Sequence, residues 1–530
     1  MIPRVGPQLC NSSPDAARAL LLLVALFSAL APANPADSDD SDPFATAHHE
    51  LLGRVLQVWP FHVSHCPGGE ADLLVLSARH GPPNQRKIVT WMPCGSALRP
   101  GDPSIVQREM GPEVVIVDVA RLEGRSGAQL IRVSADGIRV DTLEAEGSEP
   151  ELQFSVPGGF PLPPRPRKLA RVEIVADWHS NGRPVALVPA LSGGWLVDLV
   201  SGDTRLLPMP VFADYLTWEP FLPRTIWKWM IAETRWPSLA RADDNGDGHL
   251  DLFTLSRWEI WIYHGGPEGL PAEPSRKLDF VPFDEKIERR NESTGFSYFA
   301  KDLDGDTRAD LLLSTVGGGL MNGRSATRVH LNTGAGVSLD QEPVVQRENE
   351  GGFSGIQLVD LDRDGREEMI ELTLDFGVVK LVGLLVTGRT KITIRVLSLD
   401  PSQPDGTRTS FEDELSFRLD LASSRLKGLI PTLGDWNGDG IQDLFVAKGS
   451  KAIAFRLGSR PGQGPRFGRP RGRQPLPLES GECRVVDLDG DGFDDLIAFD
   501  HWEPEAPMVV LHNRGLLPGS RPAQGAPDAD

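Results

Sequence analysis

The sequence predicts an all-β protein, a β-propeller of seven or eight four-stranded antiparallel blades. An acidic motif recurs five times at intervals near 60 residues. Short apolar runs separated by glycine turns follow each copy, which is typical of strands. One unit of loop, strand, turn, strand, glycine turn and further strand in about 60 residues suits one propeller blade. With 55 Gly and 45 Pro in 530 residues, the chain is too rich in turns for a helical bundle.

The two ends of the chain indicate targeting and connecting segments. The apolar run at 19–31 follows Arg4 and Arg18, and small residues at 31–33 offer a cleavage site. The run is too short to span a bilayer but suits the core of a signal peptide, with an uncleaved anchor as the alternative. We therefore expect a secreted, periplasmic or cell-surface protein with no membrane span after cleavage. The predicted segments are a signal peptide at 1–33, a linker at 34–50, the propeller at 51–515 and a disordered tail at 516–530.

The recurring motif carries Asp or Asn at positions 1, 3 and 5 and Asp or Glu at position 9. Its copies start at 243, 302, 360, 435 and 487, so successive starts are 59, 58, 75 and 52 residues apart. The predicted metal ligands are Asp243, Asn245, Asp247, Asp251, Asp302, Asp304, Asp306, Asp310, Asp360, Asp362, Asp364, Glu368, Asp435, Asn437, Asp439, Asp443, Asp487, Asp489, Asp491 and Asp495.

The spacing of these side chains favours Ca²⁺. Alternate residues of a tight loop direct their oxygens at one centre, and a backbone carbonyl at position 7 adds another ligand. Six or seven hard oxygens suit Ca²⁺ better than Mg²⁺, which keeps several waters. We expect about five Ca²⁺ sites. Position 7 should contribute only its carbonyl, so changes of its side chain should matter little. Glycine at position 6 permits the sharp turn; the second copy has Thr307 there, which predicts a strained or weaker loop.

An EF-hand shares the first half of this pattern but does not fit the second. It requires Glu at position 12 and a helix on each side. Only Glu371 meets the first requirement among the five copies. Apolar β-forming runs such as Leu444–Ala447 follow position 9, so each loop opens a strand rather than a helix.

The motif together with its flanking strands resembles the FG-GAP/VCBS repeat. The resemblance covers about 243–515, where DxDxDGxxDL is followed by segments such as LNTGAG at 331–336 and YHGGPEGL at 263–270. It implies a propeller like that of integrin α chains, with Ca²⁺ loops between the strands of a blade. It also implies a surface or adhesion protein.

The N-terminal half is expected to contain the same repeat with decayed loops. The segment at 175–187 keeps Asp177, Asn181 and Gly182 but has Val185 where the last acid belongs, and Glu70–Asp72 retains only the end of the pattern. Val115–Asp118 leads to a β run without loop acids. Unit starts near 64, 118 and 177 continue the phase of the acidic copies, which gives eight units in all. No Ca²⁺ is expected in these three.

Charge and cysteine content limit the functional classes. The formal charge of -20 argues against a nucleic-acid binder. Four cysteines exclude a disulfide-rich scaffold, and whether Cys66 and Cys94 are bridged stays open.

Three functions are compatible with the sequence. The first is a non-catalytic binding or adhesion module for an extracellular glycan or protein partner. The second is a Ca²⁺-dependent polysaccharide lyase or hydrolase, for which His249 and His264 are candidates by chemistry alone. The third is a structural scaffold of a cell envelope. The sequence identifies no catalytic residue, and fold alone does not decide among the three.

Overall fold

The computed structural model describes most of the chain between residues 43 and 517. The described ranges are 43–64, 66–79, 86–143, 152–156, 169–178, 183–218, 229–256, 258–280, 295–317, 323–350, 352–375, 384, 387–420, 425–429, 432–447, 452–460, 464–475, 478, 480–501, 503 and 506–517. The predicted signal peptide and almost all of the predicted tail lie outside them. No helix within these ranges is long and apolar enough to cross a membrane.

The first strand of the chain, β1 (Phe44–His49), pairs with the last, and blades 1–4 follow it in order. Blade 1 comprises β2 (Arg54–Phe61), β3 (Asp72–Arg79), β4 (Arg86–Met92) and β5 (Val106–Met110), with a 3-10 turn at Ser96–Leu98. Blade 2 comprises β6 (Ile116–Ala120), β7 (Gln129–Ser134), β8 (Gly137–Thr142) and β9 (Leu152–Phe154), and β10 (Ala170–Arg171) pairs with β6. Blade 3 comprises β11 (Val175–Ala176), β12 (Val185–Ala190), β13 (Gly193–Asp198) and β14 (Thr204–Pro208). A hairpin of β15 (Phe212–Trp218) and β16 (Trp229–Arg235) precedes blade 4, which comprises β17 (Ser238–Ala242), β18 (Asp251–Leu255), β19 (Glu259–Tyr263) and β20 (Arg276–Asp279).

Blades 5–8 repeat the same order of strands. Blade 5 comprises β21 (Gly295–Lys301), β22 (Asp310–Gly317), β23 (Arg324–His330) and β24 (Val345–Glu350). Blade 6 comprises β25 (Gly352–Val359), β26 (Glu368–Asp375), β27 (Arg389–Leu399) and β28 (Thr407–Asp420), followed by β29 (Arg425–Leu429). Blade 7 comprises β30 (Thr432–Gly434), β31 (Asp443–Ala447), β32 (Ala452–Arg456) and β35 (Arg471–Pro475), with β33 (Gly458–Ser459) and β34 (Arg466–Phe467) between the last two. Blade 8 comprises β36 (Ser480–Val486), β37 (Asp495–Phe499), β38 (Met508–Asn513) and β1.

The blades form a closed ring of eight, which confirms the predicted fold class and settles the number. Each pair of neighbouring blades shares one apolar cluster, as where Phe253 and Ile260 of blade 4 pack on Leu311 and Leu313 of blade 5. The ring closes where residues of blade 1 share a cluster with Ile497 and other residues of blade 8. First strands of adjacent blades contact one another, including β2 with β36. The first strands therefore line the ring axis.

The N-terminal strand completes the last blade. β1 pairs antiparallel with β38, from Phe44 opposite Asn513 to His49 opposite Met508. Phe44 is 1% exposed and packs against Trp436 and Phe455. The prediction of a linker at 34–50 is thus wrong for 44–49, because the last blade lacks an outer strand that only this segment supplies.

Candidate metal centres

All five acidic motifs form the loop that joins the first strand of a blade to the second. They connect β17 to β18, β21 to β22, β25 to β26, β30 to β31 and β36 to β37, and we number them loops 1–5 in that order. Position 9 is in each case the first residue of the second strand, which is apolar and buried; all five residues of β18 and of β37 are buried. The expectation that each loop opens a buried strand is confirmed.

The position-1 aspartate organises the turn of each loop. In loop 1, Gly246 N and Gly248 N donate to the two carboxylate oxygens of Asp243, at 2.7 and 2.8 Å. The position-1 residues that accept backbone N–H groups in this way on both oxygens are Asp243, Asp302, Asp360, Asp435 and Asp487. A carboxylate accepts such bonds best when ionised, so each loop is built around a negative charge.

The position-9 carboxylates connect each loop to the strands beside it. Asp310 accepts Leu303 N on one oxygen at 2.9 Å and Asn332 N, beyond the third strand, on the other at 2.8 Å. The position-9 residues that accept the N–H of position 2 are Asp251, Asp310, Glu368, Asp443 and Asp495. These side chains are buried, and burial raises the pKa of Asp310 to about 6 and those of Glu368 and Asp443 to about 7.

The side chains at positions 3 and 5 complete the cluster in each loop. Position 5 is Asp247, Asp306, Asp364, Asp439 or Asp491, and each accepts the N–H of position 7 at 2.8 to 2.9 Å. Position 3 is Asn245, Asp304, Asp362, Asn437 or Asp489. Ligand oxygens of Asp302, Asp304 and Asp306 lie within 4.8 Å of one another, as do those of Asp487, Asp489 and Asp495. Hard oxygens at this density fit a Ca²⁺ ion.

Loop 3 differs because an arginine from blade 7 reaches into it. Arg460 Nε lies 3.0 Å from Asp362 Oδ2, and Arg460 Nη2 lies 2.8 Å from Asp364 Oδ2. The other oxygen of Asp362 is buried and has no hydrogen-bond partner among the described residues. Loop 3 thus retains an orphaned ligand atom that suits a cation, beside a guanidinium that already supplies positive charge.

Two non-glycine residues adopt left-handed backbone in these loops. Thr307, at position 6 of loop 2, has φ 72°, and Arg363, at position 4 of loop 3, has φ 54°. A β-branched residue is strained there. Thr307 N nevertheless donates to Asp302 Oδ2 at 2.7 Å, so the loop keeps its shape at an energetic cost.

Adjacent loops contact one another, so the position-7 side chains have neighbours that the sequence analysis did not predict. Arg308, at position 7 of loop 2, lies over Gly246 of loop 1, where an added Cβ would be 2.8 Å from Arg308 Nε. Arg366 and Phe493 lie over the position-4 glycines of loops 2 and 4 in the same way. Position-8 N–H groups also donate to the preceding loop, as from Ala309 N to Asp243 O at 2.7 Å. These contacts were missed because spacing within one motif carries no information about its neighbour.

Blade 1 keeps the loop without its acids. Asp72, at position 9, accepts Val63 N, Ser64 N and Cys94 N at 2.7 to 3.0 Å. It thus connects the start of the loop to the segment beyond the third strand, as Asp310 does in blade 5. Counting back from Asp72, Cys66 takes position 3. A disulfide joins it to Cys94, directly beyond the third strand, which answers the question that the sequence left open. A covalent bond thus links the loop to the turn that it faces.

Blade 2 contains a nine-residue loop that the sequence analysis placed three residues too early. Gln129 begins β7, and Leu122 N donates to its Oε1 at 2.8 Å, so position 9 is Gln129 and position 1 is Arg121. Gln129 Nε2 donates to Ser126 O and Gly127 O, both at 2.9 Å. The signal was present in the LEGRSGAQL segment at 122–130, but Gln at position 9 hid it. Asp118 belongs instead to β6 and accepts Ile174 N and Val175 N at 2.9 Å.

Blade 3 matches its predicted phase. Val185 begins β12 and takes position 9, which leaves Asp177 at position 1. The neighbouring Trp178 is 6% exposed and donates from Nε1 to Ile174 O at 3.0 Å. Residues 179–182 of this loop, including the predicted Asn181 and Gly182, lie outside the described residues.

Comparisons with known proteins agree with this architecture. Residues 435–498, which include loops 4 and 5, match the family model of the FG-GAP-like repeat. No curated protein matches the chain. Among solved structures, the V. cholerae biofilm matrix protein Bap1 is similar at 11% identity and a TM-score of 0.32, with 89% of this chain and 91% of that chain covered.

Two further structures are similar over most of the chain. BBS1N, solved in complex with ARL6DN, has 11% identity and a TM-score of 0.33, with 76% of this chain and 95% of that chain covered. The intramolecular trans-sialidase from Ruminococcus gnavus has 9% identity and a TM-score of 0.29, with 89% and 96% covered. TM-scores this low carry no functional conclusion. Residues 435–498 thus contain an FG-GAP-like repeat, and they lie within a ring of eight β-propeller blades.

Proposed function

We propose that this protein is an exported, calcium-stabilised β-propeller that acts as a non-catalytic binding or adhesion module for a glycan or protein partner. The observation that carries the proposal is the shared geometry of the five acidic loops. In each, backbone N–H groups fix the carboxylates of positions 1, 5 and 9 around a small space between two strands. Such an arrangement needs positive charge, which a bound Ca²⁺ supplies.

The side chains of positions 1, 3, 5 and 9 would hold the ion in each loop. Without it, several carboxylates with raised pKa values face one another; the neighbouring charges of Asp304 and Asp306 add to the effect of burial on Asp310. Binding that occurs only in the folded state stabilises that state by mass action. The ions therefore stiffen one end of five blades and leave the rest of the ring available to a partner.

Export is supported by two independent features. The apolar run at 19–31 has the length and flanks of a signal peptide. The disulfide between Cys66 and Cys94 persists in oxidising compartments and is rare in reducing ones.

A binding role is favoured over catalysis by what the acidic side chains already do. The carboxylates of positions 1 and 9 accept backbone N–H groups, so they serve the loops rather than a substrate. His264, one of the two candidates for a catalytic base, lies 3.1 Å through Nε2 from Oδ2 of the fully buried Asp244. Arg276 donates to the same oxygen at 2.5 Å. Asp244 and Arg276 lie in the same blade as this histidine, and the other oxygen of Asp244 accepts Val337 N of blade 5, so the histidine belongs to a structural network.

The test is retention of the purified full-length protein on immobilised acidic and neutral polysaccharides, in Ca²⁺ and in EGTA, with released products monitored. Retention in Ca²⁺ without products is the expected result. Unsaturated or shortened products would overturn the non-catalytic role. Absence of retention on every polysaccharide would rule out a glycan partner. Pull-down with extracellular matrix proteins would then test for a protein partner.

A further inference from the structure

A polar cleft lies between blades 5 and 6 and extends along their strands, and none of the residues that line it is a predicted metal ligand. Its volume is about 560 Å³. Ser325 of β23 pairs with Val316 near the far end of β22, whose other end begins at loop 2. Ser354 of β25 likewise pairs with Thr373, whereas loop 3 ends at Glu368. The cleft is therefore separate from the candidate metal centres.

The charged side chains of the cleft form one neutralised network. Glu371 is 4% exposed and accepts Arg347 Nη2 at 3.3 Å and Arg395 Nη1 at 3.2 Å. Arg347 also donates to Asp405 at 2.5 Å, and Arg395 donates to Glu412 at 3.1 Å. Each guanidinium thus contacts two carboxylates, and neither has unopposed positive charge to attract an anion.

Two buried polar atoms of this cleft lack a hydrogen-bond partner among the described residues. They are Ser325 Oγ and Arg347 Nε. Ser325 is only 5% exposed. A buried polar group without a partner is destabilising, and such groups are rare in native proteins. Ser325 and Arg347 both line the cleft, so a ligand with hydroxyl groups, or water held in its place, would satisfy them.

We propose that this cleft binds a neutral, hydroxyl-rich ligand, namely a mono- or disaccharide unit of a glycan. The inference rests on the proposed binding function and names its site. Ligand pockets of this size are usually lined by apolar side chains, whereas this one is lined by hydroxyls and planar polar groups, including Asn349 and Gln346. Such groups donate to and accept from neighbouring hydroxyls of a sugar ring, and the geometry favours rigid recognition because ion pairs already hold the arginines in place.

Charge decides between a neutral and an acidic sugar. The lining contains Arg347 and Arg395 against Glu348, Glu371 and Asp405, an excess of one negative charge. A uronate or sialate carboxylate would meet this net negative charge, and both arginines are already paired with carboxylates of the protein. The cleft should therefore discriminate against acidic sugars.

The test is saturation-transfer NMR on the full-length protein with methyl α-mannoside, methyl β-galactoside, N-acetylglucosamine, lactose and cellobiose, followed by calorimetry of any that bind. Galacturonate and spermidine serve as the anionic and cationic probes. We expect at least one neutral sugar to bind, and galacturonate and spermidine to bind at least tenfold more weakly.

Two variants and one control locate the binding. Ser325→Ala removes a hydroxyl that has no partner among the described residues, so it should leave folding unchanged. It should lower the affinity for the sugar about threefold to tenfold. Glu371→Gln removes the charge that holds both arginines, so it should lower the affinity for the sugar about tenfold or more. It should also lower the stability of the protein. Glu342→Gln, in a neighbouring hollow of about 400 Å³, is the matched control and should change nothing.

The outcomes separate this inference from the proposed function. Binding of a neutral sugar that Ser325→Ala leaves unchanged would place the site elsewhere and overturn the inference, while the binding function stands. If galacturonate or spermidine bound more tightly than every neutral sugar, the proposal that the ligand is a neutral sugar would be wrong. Retention on a polysaccharide column with no response from any neutral sugar would also overturn it. Absence of both retention and sugar binding would contradict the glycan function itself.

Discussion

Blades 1–3 and blades 4–8 all have a loop between their first two strands, but the side chains of these loops differ. In blades 4–8, positions 1, 3, 5 and 9 all carry Asp, Asn or Glu. In loops 2, 3 and 5, ligand oxygens of three of these residues lie within 4.8 Å of one another. Blade 1 has a disulfide from position 3, blade 2 has a glutamine that donates to loop carbonyls, and blade 3 has Val185 at position 9. All eight units nevertheless pack into one ring.

The difference separates what the fold requires from what a cation requires. Asp72 and Gln129 keep the acceptor that position 9 offers to nearby backbone N–H groups, although their loops lack the other acids. If the five acidic loops bind Ca²⁺ as we propose, the acids of positions 1, 3 and 5 serve that ion. Blades 1 and 2 form without them, because other bonds connect their loops to the surrounding strands.

The largest effect on stability is expected from substitutions at position 9. Asp443→Ala and Asp72→Ala each leave at least two buried or half-buried N–H groups without an acceptor, so each should lower the free energy of unfolding by about 3 kcal/mol. Urea unfolding in Ca²⁺ and in EGTA distinguishes them, because only Asp443→Ala also loses a ligand. Equal dependence on Ca²⁺ in the two variants would contradict the distinction between the two halves.

The disulfide of blade 1 provides the next effect. Cys66 and Cys94 are 28 residues apart, and a loop of that length predicts about 3 kcal/mol of stabilisation. The Cys66→Ser/Cys94→Ser double variant should lose it in Ca²⁺ and in EGTA alike, as followed by urea unfolding. Cys483→Ala is the control for loss of a thiol outside the bridge. A loss that appears only in EGTA would mean that the disulfide and the ions are interchangeable across the ring.

The sequence predicted the ring and the loops because both depend on local spacing. The acids recur at fixed spacing in five units and the apolar runs continue the period in the other three, so eight units were readable, although the loop of blade 2 was placed three residues too early. The outer strand at Phe44–His49 was missed because its pairing with β38 spans almost the whole chain. Arg460 in loop 3 and the position-7 contacts were missed for the same reason: they join blades, and no periodicity within one repeat encodes them.

Arg460 allows a smaller and more specific test. If its guanidinium competes with Ca²⁺ for Asp362 and Asp364, Arg460→Gln should raise the affinity of loop 3 for Ca²⁺ about tenfold, which is the effect of one charge-assisted contact. Calorimetric titration of the Ca²⁺-depleted protein measures this. Arg469→Gln, an exposed arginine nearby, should leave the titration unchanged. Weaker binding in Arg460→Gln would show that the arginine supports the site.

Thr307 provides the smallest effect. Thr307→Gly relieves the left-handed strain of a β-branched residue and should raise the free energy of unfolding by about 1 kcal/mol. Thr307→Ala, which still has a Cβ, should recover only part of that gain. Urea midpoints of the two variants in Ca²⁺ provide the comparison. If Thr307→Gly were less stable than the original protein, the threonine side chain would make a contact whose stabilising energy exceeds the cost of the backbone strain.

The most direct test of the account is to remove the metal from the intact protein. The purified protein should contain bound calcium by elemental analysis, and thermal unfolding in EGTA should begin well below unfolding in Ca²⁺. Each site adds about 2.7 kcal/mol when free Ca²⁺ is 100 times its dissociation constant, so several filled loops shift the midpoint by many degrees. A protein that contains no calcium and melts at the same temperature in EGTA would contradict the claim that cations hold blades 4–8 where other bonds hold blades 1–3.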